Sequence, residues 1–136
     1  MPTYHVNEPI SADEFIAVLR ASTLAERRPV DDLGVIEDML QHANLIVTAR
    51  EGGKLIGVAR TLTDFSYIAY LSDLAVDVAY QRQGIGRELI RLTKQQLGPA
   101  CKLLLLAAPA AAEYYPRLGF EYQPRAWMLP AGKDVM

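Results

Sequence analysis

Several things are scarce in this chain, and each scarcity removes a class of protein. Cys101 is the only cysteine among 136 residues, so no internal disulfide can form and a reducing, cytoplasmic setting is expected. Standing at the start of an apolar run, it reads as a small core residue rather than a nucleophile. The two histidines, His5 and His42, lie far from the motifs described below and read as surface or structural residues. No Cys/His cluster offers zinc ligands, so no metal is expected. No Ser/His/Asp arrangement or phosphate-loop lysine is present. Apolar runs are too short to span a membrane, and the N-terminus lacks a signal-peptide pattern, so no membrane partner is expected. The net charge is only −2, too little for a basic field that would recruit nucleic acid. Internal repeats and low-complexity stretches are absent.

What is present fits one soluble domain spanning residues 1–136, long enough for a sizeable core. Thr3 to Val6 suits a short strand. Ser11 and Glu14 form a capping box, after which Phe15, Val18, Leu19 and Ser22 share a helical face. Pro29 interrupts. Asp31 or Asp32 caps a second helix with Leu33, Ile36, Leu40 and Ala43 as its stripe. Leu45–Arg50 and Lys54–Leu62 read as strands joined by the Gly52-Gly53 turn. A turn over residues 63–66 leads to a strand over Tyr67–Val76. Gly98-Pro99 ends the helix that follows, and the leucine run Lys102–Ala107 reads as a strand buried on both faces. A short helix over Ala110–Leu118, irregular at Pro116, precedes a hairpin of Phe120–Tyr122 and Ala126–Leu129 and a loose tail.

The most informative stretch is Leu71–Ile90. An apolar strand passes through Asp77 and Tyr80 into Gln81-Arg82-Gln83-Gly84-Ile85-Gly86. A helix then carries Leu89, Ile90, Thr93 and Leu97 on one side and Arg87, Glu88, Arg91, Lys94 and Gln95 on the other. The first turn of a helix leaves N–H groups without partners and is positively polarised, and glycines let a bulky anion approach the backbone. Strand, glycine turn and helix therefore make a phosphate site, with Arg82 and Arg87 adding charge.

Gln81–Gly86 resembles the Gln/Arg-x-x-Gly-x-Gly/Ala signature of the GCN5-related N-acetyltransferases (GNAT). The strand before it is similar to that family's fourth strand. Glu113-Tyr-Tyr-Pro-Arg-Leu-Gly-Phe120 resembles its Phe-Tyr-x-x-x-Gly-Phe block. The resemblance implies an α/β fold of α+β type, with a mixed, mostly antiparallel sheet of six to seven strands and helices on both faces. Its parallel central strands, here Leu71–Val76 and Leu103–Ala107, would splay apart to receive a pantetheine arm. It also implies acetyl-CoA as cosubstrate and an amine acceptor, and leaves a homodimer open. The coenzyme would be held by Leu74, Ala75, Val76, Val78, Gln81, Arg82, Gln83, Gly84, Ile85, Gly86 and Arg87. A backbone N–H near Leu74–Val76 would face the thioester oxygen.

Where the family tyrosine matched by Tyr115 is catalytic, it protonates the departing sulfur; a phenol, with an ordinary pKa of ~10, suits that task, and the other reading of Tyr115 is a ring packed against coenzyme A or the core. Family bases are often Glu or His on the fourth strand. Here Asp73 is the only carboxylate in the run, with Tyr70 and Ser72 on the opposite face, and a bulge would turn it toward the cleft. Its other reading is a hydrogen-bonded structural residue. Arg27 and Arg28 lie in a segment, Thr23–Asp32, that borders the acceptor pocket in the resembling family. Many members carry an asparagine after the fifth strand; Ala107–Ala112 offers none. A binding module that holds coenzyme A without catalysis is the alternative.

Overall fold

The computed structural model describes residues 1–136, which divide into two units, Met1–Leu106 and Ala107–Met136. The first is a five-stranded sheet in the order β1 (Thr3–Val6), β2 (Leu45–Glu51), β3 (Lys54–Thr63), β4 (Ile68–Val76) and β5 (Lys102–Leu105). Neighbours are antiparallel except β4 and β5, which run parallel. Helices α1 (Ala12–Ala21), α2 (Leu33–His42) and α3 (Ile85–Gln95) complete the unit.

Local signals account for most of these boundaries. Ser11 Oγ accepts from Glu14 N–H at 3.0 Å while Glu14 Oε1 accepts from Ser11 N–H at 3.2 Å, so the expected capping box starts α1. Of the two candidate caps for α2, Asp32 is the one used, accepting from Val35 N–H at 3.2 Å. Gly52 and Gly53 both take positive φ (57° and 84°), the geometry of a two-residue hairpin turn whose twist matches the strands. Asp64 Oδ1 accepts from the N–H groups of Ser66, Tyr67 and Ile68, closing the turn into β4.

One face of the sheet carries Ile46, Val58 and Ala75 against Phe15, Val18 and Leu19 of α1 and Ile36 of α2. On the other, Gly57 meets Ile85 and Leu89 of α3. The face assignment along β4 changes at one residue. Arg60 pairs with Asp73 but Thr61 pairs with Leu71, so Ser72 is an extra residue, a β-bulge. Because side chains alternate, the inserted residue puts Tyr70, opposite Leu62, on the same face as Asp73, opposite Arg60. The sequence pattern had placed them on opposite faces.

Three expectations need correction. The sheet has five strands rather than six or seven: residues 120–129 form no strand, with Pro124, which cannot donate to a ladder, in their middle. Ala110–Leu118 is not an α-helix but two short 3₁₀ turns, Pro109–Ala111 and Tyr115–Leu118; Pro116 sits in the first turn of the latter, where its missing N–H costs nothing. The leucine run is an edge strand, shorter than expected and half-exposed, with Leu104 at 37%.

Candidate active site

Contrary to expectation, the parallel strands are joined rather than splayed over the length they share. Ala69, Tyr70 and Leu71 are paired with Leu103, Leu104 and Leu105, and the ladder stops there while β4 runs on to Val76. Asp77 N–H donates to Ile56 C=O at 2.8 Å. The hydrogen-bonded pairs with β3 are therefore those in step with it, Ala75 opposite Val58 and Asp73 opposite Arg60. Leu74 and Val76 turn their N–H and C=O groups to the other edge, beyond the end of the β5 ladder. Two contacts agree with this alternation. Val76 C=O accepts from Gln81 Nε2 at 3.1 Å, and Ser72 C=O accepts from Arg28 Nη2 at 2.7 Å. Ala75 gives its backbone to β3 and its methyl to the core, so of the strand-end residues Leu74 and Val76 are those that face the open edge.

Beyond Val76 the chain turns through Asp77, whose Oδ1 accepts from Ala79 N–H at 2.9 Å, and a 3₁₀ turn, Val78–Tyr80, with Val78 exposed. Gln81, Arg82, Gln83 and Gly84 are all exposed. Arg82 (φ 64°) and Gly84 (φ 79°) are both left-handed, a conformation that turns successive N–H groups into a shallow concavity suited to anions. Gly84 occupies the N-cap of α3 and no side chain caps it. The first intrahelical bond is Glu88 N–H to Gly84 C=O, which leaves the N–H groups of Ile85, Gly86 and Arg87 at the bare helix start. Ile85 contributes through its backbone alone, since its side chain is buried against Gly57. Arg87 is exposed beside them.

Asp73 is not the open carboxylate that a base requires. Its side chain is fully buried; Oδ1 accepts from Arg28 Nε and Oδ2 from Arg60 Nε. Arg60 also donates to Ser72 Oγ at 2.9 Å and to Met39 C=O of α2 at 3.3 Å. The arrangement corresponds to the structural reading of Asp73, and the cause is local. A buried arginine on β3 must find a carboxylate, and the bulge delivers one opposite. Arg60 was missed by sequence reasoning. The signal available was a lone cation in the apolar run of β3 facing the lone carboxylate of the next strand.

Within the second unit, Tyr115 is half-buried at the start of its 3₁₀ turn. Its ring meets Phe120 edge-on, centroids 5.5 Å apart, and Tyr114 at 5.3 Å. Gly119, at φ 94°, ends the turn and returns the chain to Phe120. Among the other aromatics, Tyr67 lies under the Lys102 ammonium, 3.5 Å from the ring centroid, while Tyr122 and Trp127 are almost wholly exposed. Two shallow cavities lie elsewhere in the first unit. One of about 250 Å³ is bounded by Asn7, Ile10 and Leu40; one of about 180 Å³ lies between α1 and Leu55 and reaches only Asp77 of the turn. Neither contains the helix start.

A mixed sheet whose one parallel ladder ends before β4 does, followed by an uncapped, glycine-led helix, is the arrangement expected of a GNAT domain. Comparison with known proteins agrees. The profile of the acetyltransferase (GNAT) domain matches residues 41–122, and the chain belongs to that family. A histone acetyltransferase of Glycine max is 37% identical over 79 residues, covering 54% of this chain. The chain spans about a third of the length of that relative (33%). A probable acetyltransferase of Staphylococcus aureus superposes with a TM-score of 0.76 at 20% identity, covering 98% of this chain and all of the other. An aminoglycoside N-acetyltransferase solved in complex with CoA superposes at 0.74 with 17% identity, covering 98% and 96%. These structural likenesses establish the GNAT fold.

Proposed function

We propose that the protein transfers the acetyl group of acetyl-CoA to a primary amine of a small molecule or peptide, by direct attack within a ternary complex. The observation that carries this reading is that the β4–β5 ladder ends at the Leu71–Leu105 pair while β4 runs on to Val76 and then turns into the bare start of α3. The unladdered end of β4 is suited to an extended amide-bearing arm, and the helix start to its diphosphate. The CoA complex of the aminoglycoside enzyme with the same fold supports the choice of cosubstrate. The family match runs through both units, and the proposal treats residues 1–136 as one catalytic domain. The single buried thiol of Cys101 fits a reducing compartment, and we assign the protein to the cytoplasm.

In this reading the outward N–H of Leu74 or Val76 receives the thioester oxygen as it gains charge. The amine nitrogen forms its bond to the acyl carbon, the carbon–sulfur bond breaks, and Tyr115 passes its phenolic proton to the sulfur and is reprotonated at the amine's expense. With both oxygens of Asp73 held by guanidiniums, we assign deprotonation of the incoming ammonium to solvent, and to Asp73 the holding of Arg28 and Arg60. Thiol release from acetyl-CoA, followed across a panel of small-molecule and peptide amines, tests the proposal. Saturable, amine-dependent release is expected. Tight acetyl-CoA binding without turnover would instead identify a coenzyme-sensing module, a reading that the alanine-rich Ala107–Ala112 segment keeps in view.

A further inference from the structure

The Ser72 bulge is fixed from two sides by two guanidiniums, and one of them comes from outside the sheet. Arg28 lies in the connection between α1 and α2, after the 3₁₀ turn Leu24–Arg27 and before the Asp32 cap. Its Nη2 donates to Ser72 C=O at 2.7 Å, its Nε to Asp73, and its Nη1 to Arg27 C=O at 2.8 Å. Arg60 holds the other side of the same dipeptide through Ser72 Oγ and the second Asp73 oxygen. The two differ in setting: the Arg60 side chain is 8% exposed and part of the sheet, whereas Arg28 is 22% exposed and rides on a connecting segment.

This geometry gives Arg28 control over a particular peptide group. The Ser72 carbonyl points to the same edge of β4 as the Leu74 and Val76 N–H groups, and it is the last backbone acceptor before them on that edge. A bulge is the place where a strand can rotate, because the ladder on its open side is already broken. A flat guanidinium bridging a backbone carbonyl and the next residue's carboxylate removes that freedom; a lysine, as a point charge, could satisfy one acceptor but not span both.

We propose that Arg28 is a positioning residue. By bridging Ser72 C=O and Asp73 it locks the bulge so that the outward N–H groups of Leu74 and Val76 hold one direction, and it couples that alignment to the seating of residues 23–32 against β4. The catalytic consequence rests on the acetyl-transfer reading above; the mechanical one does not.

Two measurements separate them. In the Arg28→Ala variant, kcat for amine-dependent thiol release falls on the order of 10- to 100-fold, the scale expected when a reacting group is displaced by a fraction of an ångström to an ångström. Acetyl-CoA affinity falls much less than kcat, because the helix start is untouched. Amide hydrogen exchange in residues 72–76 quickens, while exchange in β2 and α3 does not change. Arg28→Lys gives an intermediate rate and intermediate exchange. Glu37→Ala, which removes an exposed side chain of α2 outside the network, behaves as wild type. Wild-type kcat together with wild-type exchange in Arg28→Ala overturns the proposal. If that variant fails to fold, a fully wild-type Arg28→Lys overturns it. If the unaltered protein turns over no amine, the acetyl-transfer reading fails, and the exchange measurement alone decides whether Arg28 locks the bulge.

Discussion

Gly57 on β3 stands so close to Leu89 on α3 that a Cβ added to the glycine would lie 3.1 Å from Leu89 Cδ1 and 3.3 Å from Ile85 Cγ2. The helix that follows the Gln81–Gly84 turn is seated on the sheet through this hydrogen-sized gap. Gly57→Val therefore overpacks the contact, and a loss of about 1–3 kcal/mol is expected in denaturant unfolding. Because α3 must ride up to make room, acetyl-CoA affinity should fall as well. Unchanged stability would mean that the helix can shift freely.

At Gly84 the obstacle is the backbone rather than space. A Cβ there meets nothing within 4 Å, yet φ is 79°. Gly84→Ala is expected to cost about 1–2 kcal/mol from left-handed strain alone, or to relax the turn and weaken acetyl-CoA binding. Calorimetric titration paired with thermal unfolding distinguishes the two responses.

Removing the carboxylate from the Arg28–Asp73–Arg60 cluster should be far more damaging than removing Arg28. Asp73→Asn leaves a buried guanidinium without its counter-ion, for which about 3–5 kcal/mol is expected. Arg60→Met combined with Asp73→Leu removes both charges and should recover much of that loss in urea unfolding. A mild Asp73→Asn phenotype would indicate that water reaches the pair.

Tyr115→Phe deletes a hydroxyl while leaving the edge-on contact with Phe120 available. If the phenol is the acid, kcat should fall by about 10²-fold or more with acetyl-CoA affinity retained. Equal turnover by the phenylalanine variant would remove Tyr115 from the chemistry.

The start of α1 should govern part of the acid sensitivity. The hydrogen bond from Arg50 at 2.7 Å, reinforced by Ser11 N–H, lowers the Glu14 pKa below its ordinary 4.5. A carboxyl whose folded pKa is depressed stabilises fully above the unfolded value. That contribution is lost as pH falls from about 4.5 through the folded value. Glu14→Gln should flatten the stability profile in that window, seen by urea melts at stepped pH, and Ser11→Ala should cost about 1 kcal/mol at neutral pH.

How far the sequence foretold all this depended on the range of the signal. The Ser11–Glu14 box, the Gly52-Gly53 hairpin and the strand–turn–helix over residues 71–90 are each written within a few residues, and each forms as expected. The Ser72 bulge is different. Nothing in Leu71-Ser-Asp-Leu says which residue is surplus; that emerges only from the register with β3. Arg28 and Asp73 lie 45 positions apart, and no local pattern joins them. The hairpin expected over residues 120–129 failed for a related reason: alternating apolar residues permit a strand, but a strand exists only where a neighbour accepts its hydrogen bonds.

The surplus serine also bears on anyone who aligns, grafts or mutates this strand by counting in twos. Upstream and downstream of it the parity is inverted. A ladder of cysteine labels placed at every second position from Ile68 would begin on one side of the sheet and finish on the other. Deleting Ser72 would restore simple counting and leave Tyr70 and Asp73 on the face they already share, so what that edit would take away is the grip of Arg28 and Arg60 on the serine.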